Sequence, residues 1–182
     1  WWPAPGIAVP SCSAFRTPLG DVPVDATAIS RLAELDFIQV VDEAHEREHA
    51  IEVQLPFLQR VLTSAFTLVP LLVGHVSNEQ LDAVYEALWG GPETLIVVSS
   101  DLSHFHDYET ARQLDGATSE AIEAMQPEAI EETSACGRLP IQGLLRMAQR
   151  RQLRTTAVDV RSSGDTAGSR DKVVGYGAYI LG

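Results

Sequence analysis

The chain has 182 residues, 45% apolar and 21% charged, with 25 acidic against 13 basic side chains and a formal net charge of −12. A chain of this length is read as one domain, spanning residues 1–182, that buries about 70% of its unfolded surface without disulfide staples. The acidic balance and the absence of a basic cluster exclude nucleic acid as a partner, and no apolar run reaches the roughly 20 residues of a membrane span.

Two cysteines, Cys12 and Cys136, make no disulfide framework and fit a reducing cytoplasm. Trp1-Trp2-Pro3-Ala4-Pro5 carries no initiator methionine and reads like the interior of a loop, so a fragment is expected. Ala26 to Leu35 is predicted as a short helix and Phe37 to Val41 as a strand. Ile51, Leu55, Leu58 and Leu62 share one helical stripe, with Pro56 kinking that helix or sitting in its first turn. Phe66 to Val73 is predicted as a buried strand, Asn78 to Trp89 as a helix capped by Ser77, and Thr94 to Val98 as the clearest buried strand. A helix from Glu109 to Met125 follows, then one from Leu139 to Arg151 with Pro140 in its first turn. Strands Leu153–Val160 and Val173–Leu181 close the chain around a polar loop, Arg161 to Lys172. Alternating strands and helices indicate an α/β layered fold, and the final strand pair, joined without a helix, indicates a mixed sheet.

Three clusters carry chemically capable side chains. His45-Glu46-Arg47-Glu48-His49 satisfies the zinc-protease pattern H-E-x-x-H and its reverse. Only one of the seven residues before His49 is apolar, so nothing would hold that turn against a core. His45 is therefore expected to face water, whereas His49 abuts the apolar stripe and stays a candidate with Glu48 and Glu52. Ser99-Ser100-Asp101-Leu102-Ser103-His104-Phe105-His106 follows the Thr94–Val98 run, where ligands of open α/β sheets bind. Asp101 could orient the His104 imidazole, or the segment could simply cap a turn with its histidines in water. A serine hydrolase is disfavoured because G-x-S-x-G is absent. In Ser134-Ala135-Cys136-Gly137-Arg138, the cysteine precedes a helix N-terminus and an arginine, a setting that favours thiolate. The opposing reading is a small buried hydrophobe. Cys12 has no such setting and reads as structural, and His75 reads as a loop histidine.

Taken in order, Thr17-Pro18-Leu19-Gly20, Glu48-His49-Ala50-Ile51-Glu52, Leu55-Pro56-Phe57, Val69-Pro70-Leu71-Leu72-Val73-Gly74, Ser99-Ser100-Asp101-Leu102-Ser103-His104, Cys136-Gly137-Arg138-x-Pro140-Ile141, Ser163-Gly164-Asp165 and Val173-Val174-Gly175-Tyr176 resemble the MEMO family. Its bacterial members are called AmmeMemoRadiSam system protein B. The resemblance implies a LigB-like α/β/α sandwich around a mixed sheet, similar to the extradiol dioxygenases that hold non-haem Fe(II). It places a cysteine metal ligand at Cys136, and His49, Asp101 and His104 as acid–base or supporting groups around one crevice. The implied cofactor is a divalent metal, Fe(II) first, with Cu or Zn as the other metals.

The implied partners are a small-molecule or peptide ligand in the crevice and other proteins of the AmmeMemoRadiSam system. The chain departs from the family pattern in one respect. The two metal-binding histidines of the H-A-G-Y-like and G-P-S-H segments precede the T-P-L-G region and are absent from residues 1–182. The chain as given is therefore expected to lack an N-terminal part of the fold and to bind metal poorly. Thiolate in place of carboxylate also puts ring cleavage itself in question. Two other functions compete with a metal-dependent oxidoreductase: a non-catalytic protein- or peptide-binding module using the same crevice, and a Cys–His hydrolase using Cys136 and His104.

Overall fold

A computed structural model describes residues 2–46, 48–166 and 168–182; Trp1, Arg47 and Ala167 lie outside the described residues. The chain is α/β with mixed sheets, as the alternation of elements indicated, and divides into two compact units, Trp1–Ser99 and Ser100–Gly182.

The first unit is organised around strand β1 (Ile7–Val9), whose three residues are fully buried. It lies between β4 (Ile38–Val40), parallel to it, and β5 (Leu72–Val73), antiparallel to it. A strand covered on both faces reads as a continuous apolar run, which is the character of Ile7-Ala8-Val9. The β1–β5 approach is close enough that a Cβ on Gly74 would sit 2.1 Å from the Ala4 carbonyl oxygen. Strands β2 (Ala14–Thr17) and β3 (Gly20–Pro23) form a hairpin whose turn is the Thr-Pro-Leu-Gly motif.

Helix α1 (Ala26–Leu32) starts where the Asp25 carboxylate accepts the Ala28 N–H, and ends three residues earlier than expected. Helix α2 (Asp42–Glu46) is a single short turn. In α3 (Leu55–Val61) Pro56 occupies the first turn, where its missing N–H costs nothing. Helix α4 (Asn78–Leu88) opens on a reciprocal Ser77–Gln80 capping box and buries Leu81, Val84 and Tyr85.

Two strand expectations fail here. Of Phe66–Val73, only β5 joins the sheet; Pro70 offers no N–H to a ladder, and Leu68 makes one isolated bridge to Val24. Thr94–Val98 forms no strand and has no ladder partner among the described residues, and Leu95 and Val97 are 62% and 46% exposed. An apolar, β-branched run states a preference for extended backbone; it does not supply the neighbour that makes a strand.

The second unit is an antiparallel sheet in the order β6 (His104–His106), β8 (Val173–Leu181), β7 (Thr155–Ser162). The β7–β8 register runs from Thr155↔Leu181 to Ser162↔Gly175, with a bulge between Ala157 and Asp159. Helix α5 (Tyr108–Glu123), capped by Asp107, packs on β7 and β8. Helix α6 (Arg138–Arg150) completes a core of Ala121, Ile122, Ile130 and Leu145, with Tyr179 and Leu181 packed against it. The buried Gln142 amide is satisfied by the Pro127 and Ile130 carbonyls at 2.9 and 3.0 Å. No described helix is long and apolar enough to cross a membrane.

Candidate metal centre

The site segment lies between Ser99 and β6, and buried hydrogen bonds fix its path. The Leu102 N–H donates to the Gly175 carbonyl and the Gly175 N–H to the Ser103 carbonyl, both at 2.8 Å. The Ser103 N–H donates to Asp115 Oδ1 at 2.9 Å, and Asp115 is only 4% exposed on the inner face of α5. This carboxylate needs the bare backbone of β8 beside it, since a Cβ on Gly175 would lie 2.0 Å from Asp115 Oδ2. With Leu102 and Ser103 buried by these contacts, Asp101 and His104 are left at the rim, with Asp101 Oδ2 3.4 Å from His104 Nε2.

The Cys136 loop docks on the same segment just before α6. The Cys136 N–H donates to the Asp101 carbonyl at 3.3 Å, and the Asp101 N–H points at Cys136 Sγ from 3.2 Å. Ser100 joins the two strands of chain: its hydroxyl donates to the Asp101 carbonyl at 2.7 Å and accepts the Gly137 N–H at 2.8 Å. Its oxygen stands 3.5 Å from Cys136 Sγ. The thiol is exposed. One ligand atom each from Asp101, His104 and Cys136 lies within 4.8 Å of the others, so the three can hold a metal ion. Sulfur, imidazole and carboxylate together suit a divalent first-row metal.

The sequence-predicted residues are divided between the two units. Asp101, His104 and Cys136 come together in the second unit. His49 belongs to the first unit, where Nδ1 pairs with Glu52 Oε1 at 2.7 Å and the side chain is 76% exposed. The Glu48 carboxylate caps the same turn by accepting the N–H groups of His49 and Ala50. The protease pattern is broken by structure, because α2 ends at Glu46 and His49 is not helical. His45 is not the water-facing residue expected of it. It is half-buried, with its ring edge-on to Phe15 at 6.2 Å, and burial holds its pKa below the ordinary imidazole value against the opposing Ala8 backbone hydrogen bond. Cys12, expected to be structural, is an exposed thiol.

Ser100 belongs to the predicted cluster without a role of its own, and Asp115 is a further residue that holds the site segment. The letters mark the segment of Ser100 but not its contacts, since those depend on which loop returns to it. Asp115 does give a signal: it interrupts the stripe Ala111, Thr118, Ile122 at helical spacing, and a polar residue on a buried helix face needs a partner. Two open cavities of about 480 and 410 Å³ lie along α5 and between α5 and β7, and neither is lined by Asp101, His104 or Cys136.

Comparison with known proteins agrees with the family resemblance. A family model described as "Memo-like protein" matches residues 4–180. A MEMO1 family protein of Aeropyrum pernix is 35% identical over 176 residues, covering 90% of this chain and 63% of that protein. MEMO1 family proteins of Saccharolobus solfataricus and Sulfolobus acidocaldarius are 32% and 31% identical, covering 92% and 89% of this chain and 64% and 61% of theirs. The chain thus spans less than two thirds of the length of these curated relatives. The family model covers nearly all of the sequence, and the chain belongs to the Memo-like protein family.

Proposed function

We propose that Asp101, His104 and Cys136 form part of the centre of a metal-dependent oxidoreductase related to the non-haem iron extradiol dioxygenases. The ion is read as Fe(II), with Cu or Zn as the alternatives, and the reading includes two further imidazole ligands in the intact family fold. The observation that carries it is the Cys136 sulfur, exposed, facing the Asp101 N–H at 3.2 Å and grouped with an imidazole and a carboxylate. The Asp101 N–H fixes the direction of the sulfur, and thiolate is the form of cysteine that binds metal.

Cys136 is the ligand, and Ser100 and the Asp101 peptide fix its direction. A bound divalent metal would supply Lewis-acid polarisation of a substrate oxygen and, if redox-active, an electron. Asp101 faces His104 Nε2, which favours the tautomer protonated there and leaves Nδ1 to take a proton from the substrate. The ligand is a small molecule or a peptide seated at this exposed rim, and the setting is cytoplasmic. Other proteins of the AmmeMemoRadiSam system are the proposed partners.

Cobalt(II) titration tests the reading. A thiolate-to-cobalt charge-transfer band is expected in the wild-type chain and in Cys12→Ser, and is expected to vanish in Cys136→Ser. Because the chain is expected to bind metal weakly, cobalt(II) is carried to saturation; a band still absent from the wild type there, or surviving in Cys136→Ser, refutes the proposal. Partner binding unchanged by Cys136→Ser and by metal removal would favour the binding-module reading instead.

A further inference from the structure

Among the described residues, three that are not glycine have left-handed backbone: Phe105 (φ 62°), Met125 (φ 57°) and Gln152 (φ 57°). Helix termination explains two of them. After α5, the Met125 N–H donates to the Ile122 carbonyl and the Gln126 N–H to that of Ala121, the bond pair of a Schellman close. Gln152 does the same after α6, with its N–H on the Gln149 carbonyl and that of Leu153 on Ala148.

Phe105 closes no helix. It sits in the middle of β6, between His104 and His106, where the pairing with β8 slips register. A left-handed backbone crowds Cβ against the neighbouring carbonyl, so glycine or asparagine would be the undemanding choice. Packing in this chain does not compensate a phenylalanine there: the side chain is 72% exposed. The irregular pairing re-aims it, as bulges do beside active sites, and its ring lies 5.7 Å from the His104 imidazole at a tilt of 52°. Strain retained at one residue, an exposed aromatic ring and contact with a member of the metal-capable group coincide at one position.

We propose that Phe105 is a specificity-determining residue of the Asp101–His104–Cys136 site, its ring forming an apolar wall for a flat apolar or aromatic group on a small-molecule ligand. The proposal rests on the reading of that group as the reactive centre. The ligand's polar end would meet the thiolate and imidazole, and its flat part would lie on Phe105 in offset or edge contact. Few polar groups that orient and one apolar surface that selects is the ordinary division of labour in a small-molecule site.

The test uses Cys136 as its own reporter, in a Cys12→Ser background under chelator. N-benzyl and N-methyl iodoacetamide are compared by intact-mass labelling rates, each normalised to its rate with N-acetylcysteine. In each reaction the sulfur forms a bond to the reagent's CH₂ carbon as iodide leaves, and the thiol proton goes to solvent. The benzyl-to-methyl ratio at Cys136 is expected to exceed that of the free thiol by about five- to tenfold, the scale of one aromatic contact. Phe105→Trp keeps that excess. Phe105→Asn, which suits left-handed backbone and so folds, brings it to within about twofold of the free thiol. An excess absent from the wild type, an excess surviving in Phe105→Asn, or failure of both reagents to label Cys136 overturns the proposal. No metal is present, so loss of the cobalt band alongside a retained benzyl excess would refute the metal reading and leave Phe105 standing.

Discussion

Replacing Asp115 by alanine tests how the site segment is held. The Ser103 N–H is deeply buried and Asp115 Oδ1 is its acceptor at 2.9 Å. Alanine leaves that buried donor without its acceptor, a cost of about 1–3 kcal/mol. Removing the carboxylate also empties the space against Gly175, while relieving the cost of burying a polar group. These two effects oppose each other, so a net loss of about 2 kcal/mol is expected. Asparagine retains an acceptor oxygen and should lose less than about 1 kcal/mol. Amide hydrogen exchange reads the site directly: protection at Ser103 should fall about thirtyfold in Asp115→Ala and by less than about fivefold in Asp115→Asn, at roughly 1.4 kcal/mol per factor of ten. Equal Ser103 protection in wild type and Asp115→Ala, or equal damage from both variants, would refute the role assigned to the carboxylate.

Ser100→Ala deprives the Gly137 N–H of its acceptor and frees the Cys136 loop, so cobalt affinity should fall about 10–100-fold, with Ser100→Thr recovering most of it; an unchanged affinity in a competition titration would show that Ser100 only fills space. His45 predicts a pH dependence in the first unit. Burial lowers its folded pKa beneath the unfolded value of about 6.5, so below that pH the unfolded chain takes up a proton that the folded chain refuses. The stabilisation is fully present above about pH 6.5 and is lost as the pH falls, with Asp42 and Glu48 opposing the loss because their charges favour the protonated ring. Urea midpoints on either side of that pH should differ more in wild type than in His45→Phe, and parallel profiles would contradict the burial effect.

The parts of this chain that were legible in its letters are those fixed by local chemistry. Helices α1, α4 and α6 begin within one residue of their expected starts because Asp25, Ser77 and the Gly137–Pro140 stretch act within a single turn. The adjacency of Asp101 and His104 was legible for the same reason. Docking of Cys136 onto Asp101, 35 residues away, came with the family resemblance rather than from spacing. Strand pairing was not legible, because Thr94–Val98 has the composition of a strand whether or not a neighbour meets it. The backbone of Phe105 was hidden entirely, since nothing in the letters His-Phe-His announces a left-handed residue.

A single peptide unit explains why Ser100 and Asp101 sit beside the thiol rather than elsewhere. The Asp101 carbonyl accepts both the Cys136 N–H and the Ser100 hydroxyl, while the Asp101 N–H faces Cys136 Sγ. Ser100 has one proton to give, and it is spent on that carbonyl at 2.7 Å rather than on the sulfur at 3.5 Å. A neutral thiol has only a long contact, 3.8 Å, through which to offer its own proton to the same carbonyl. When the sulfur carries negative charge, the hydroxyl can turn toward it, because the Cys136 N–H still satisfies the carbonyl. The sulfur then has two donors, and Gly137 still holds the serine oxygen in place. The cluster can therefore meet either form of the sulfur by rotating one hydroxyl, with no movement of the backbone. Ser100 and the Asp101 peptide thus give the exposed cysteine before α6 a defined hydrogen-bonding environment for its sulfur.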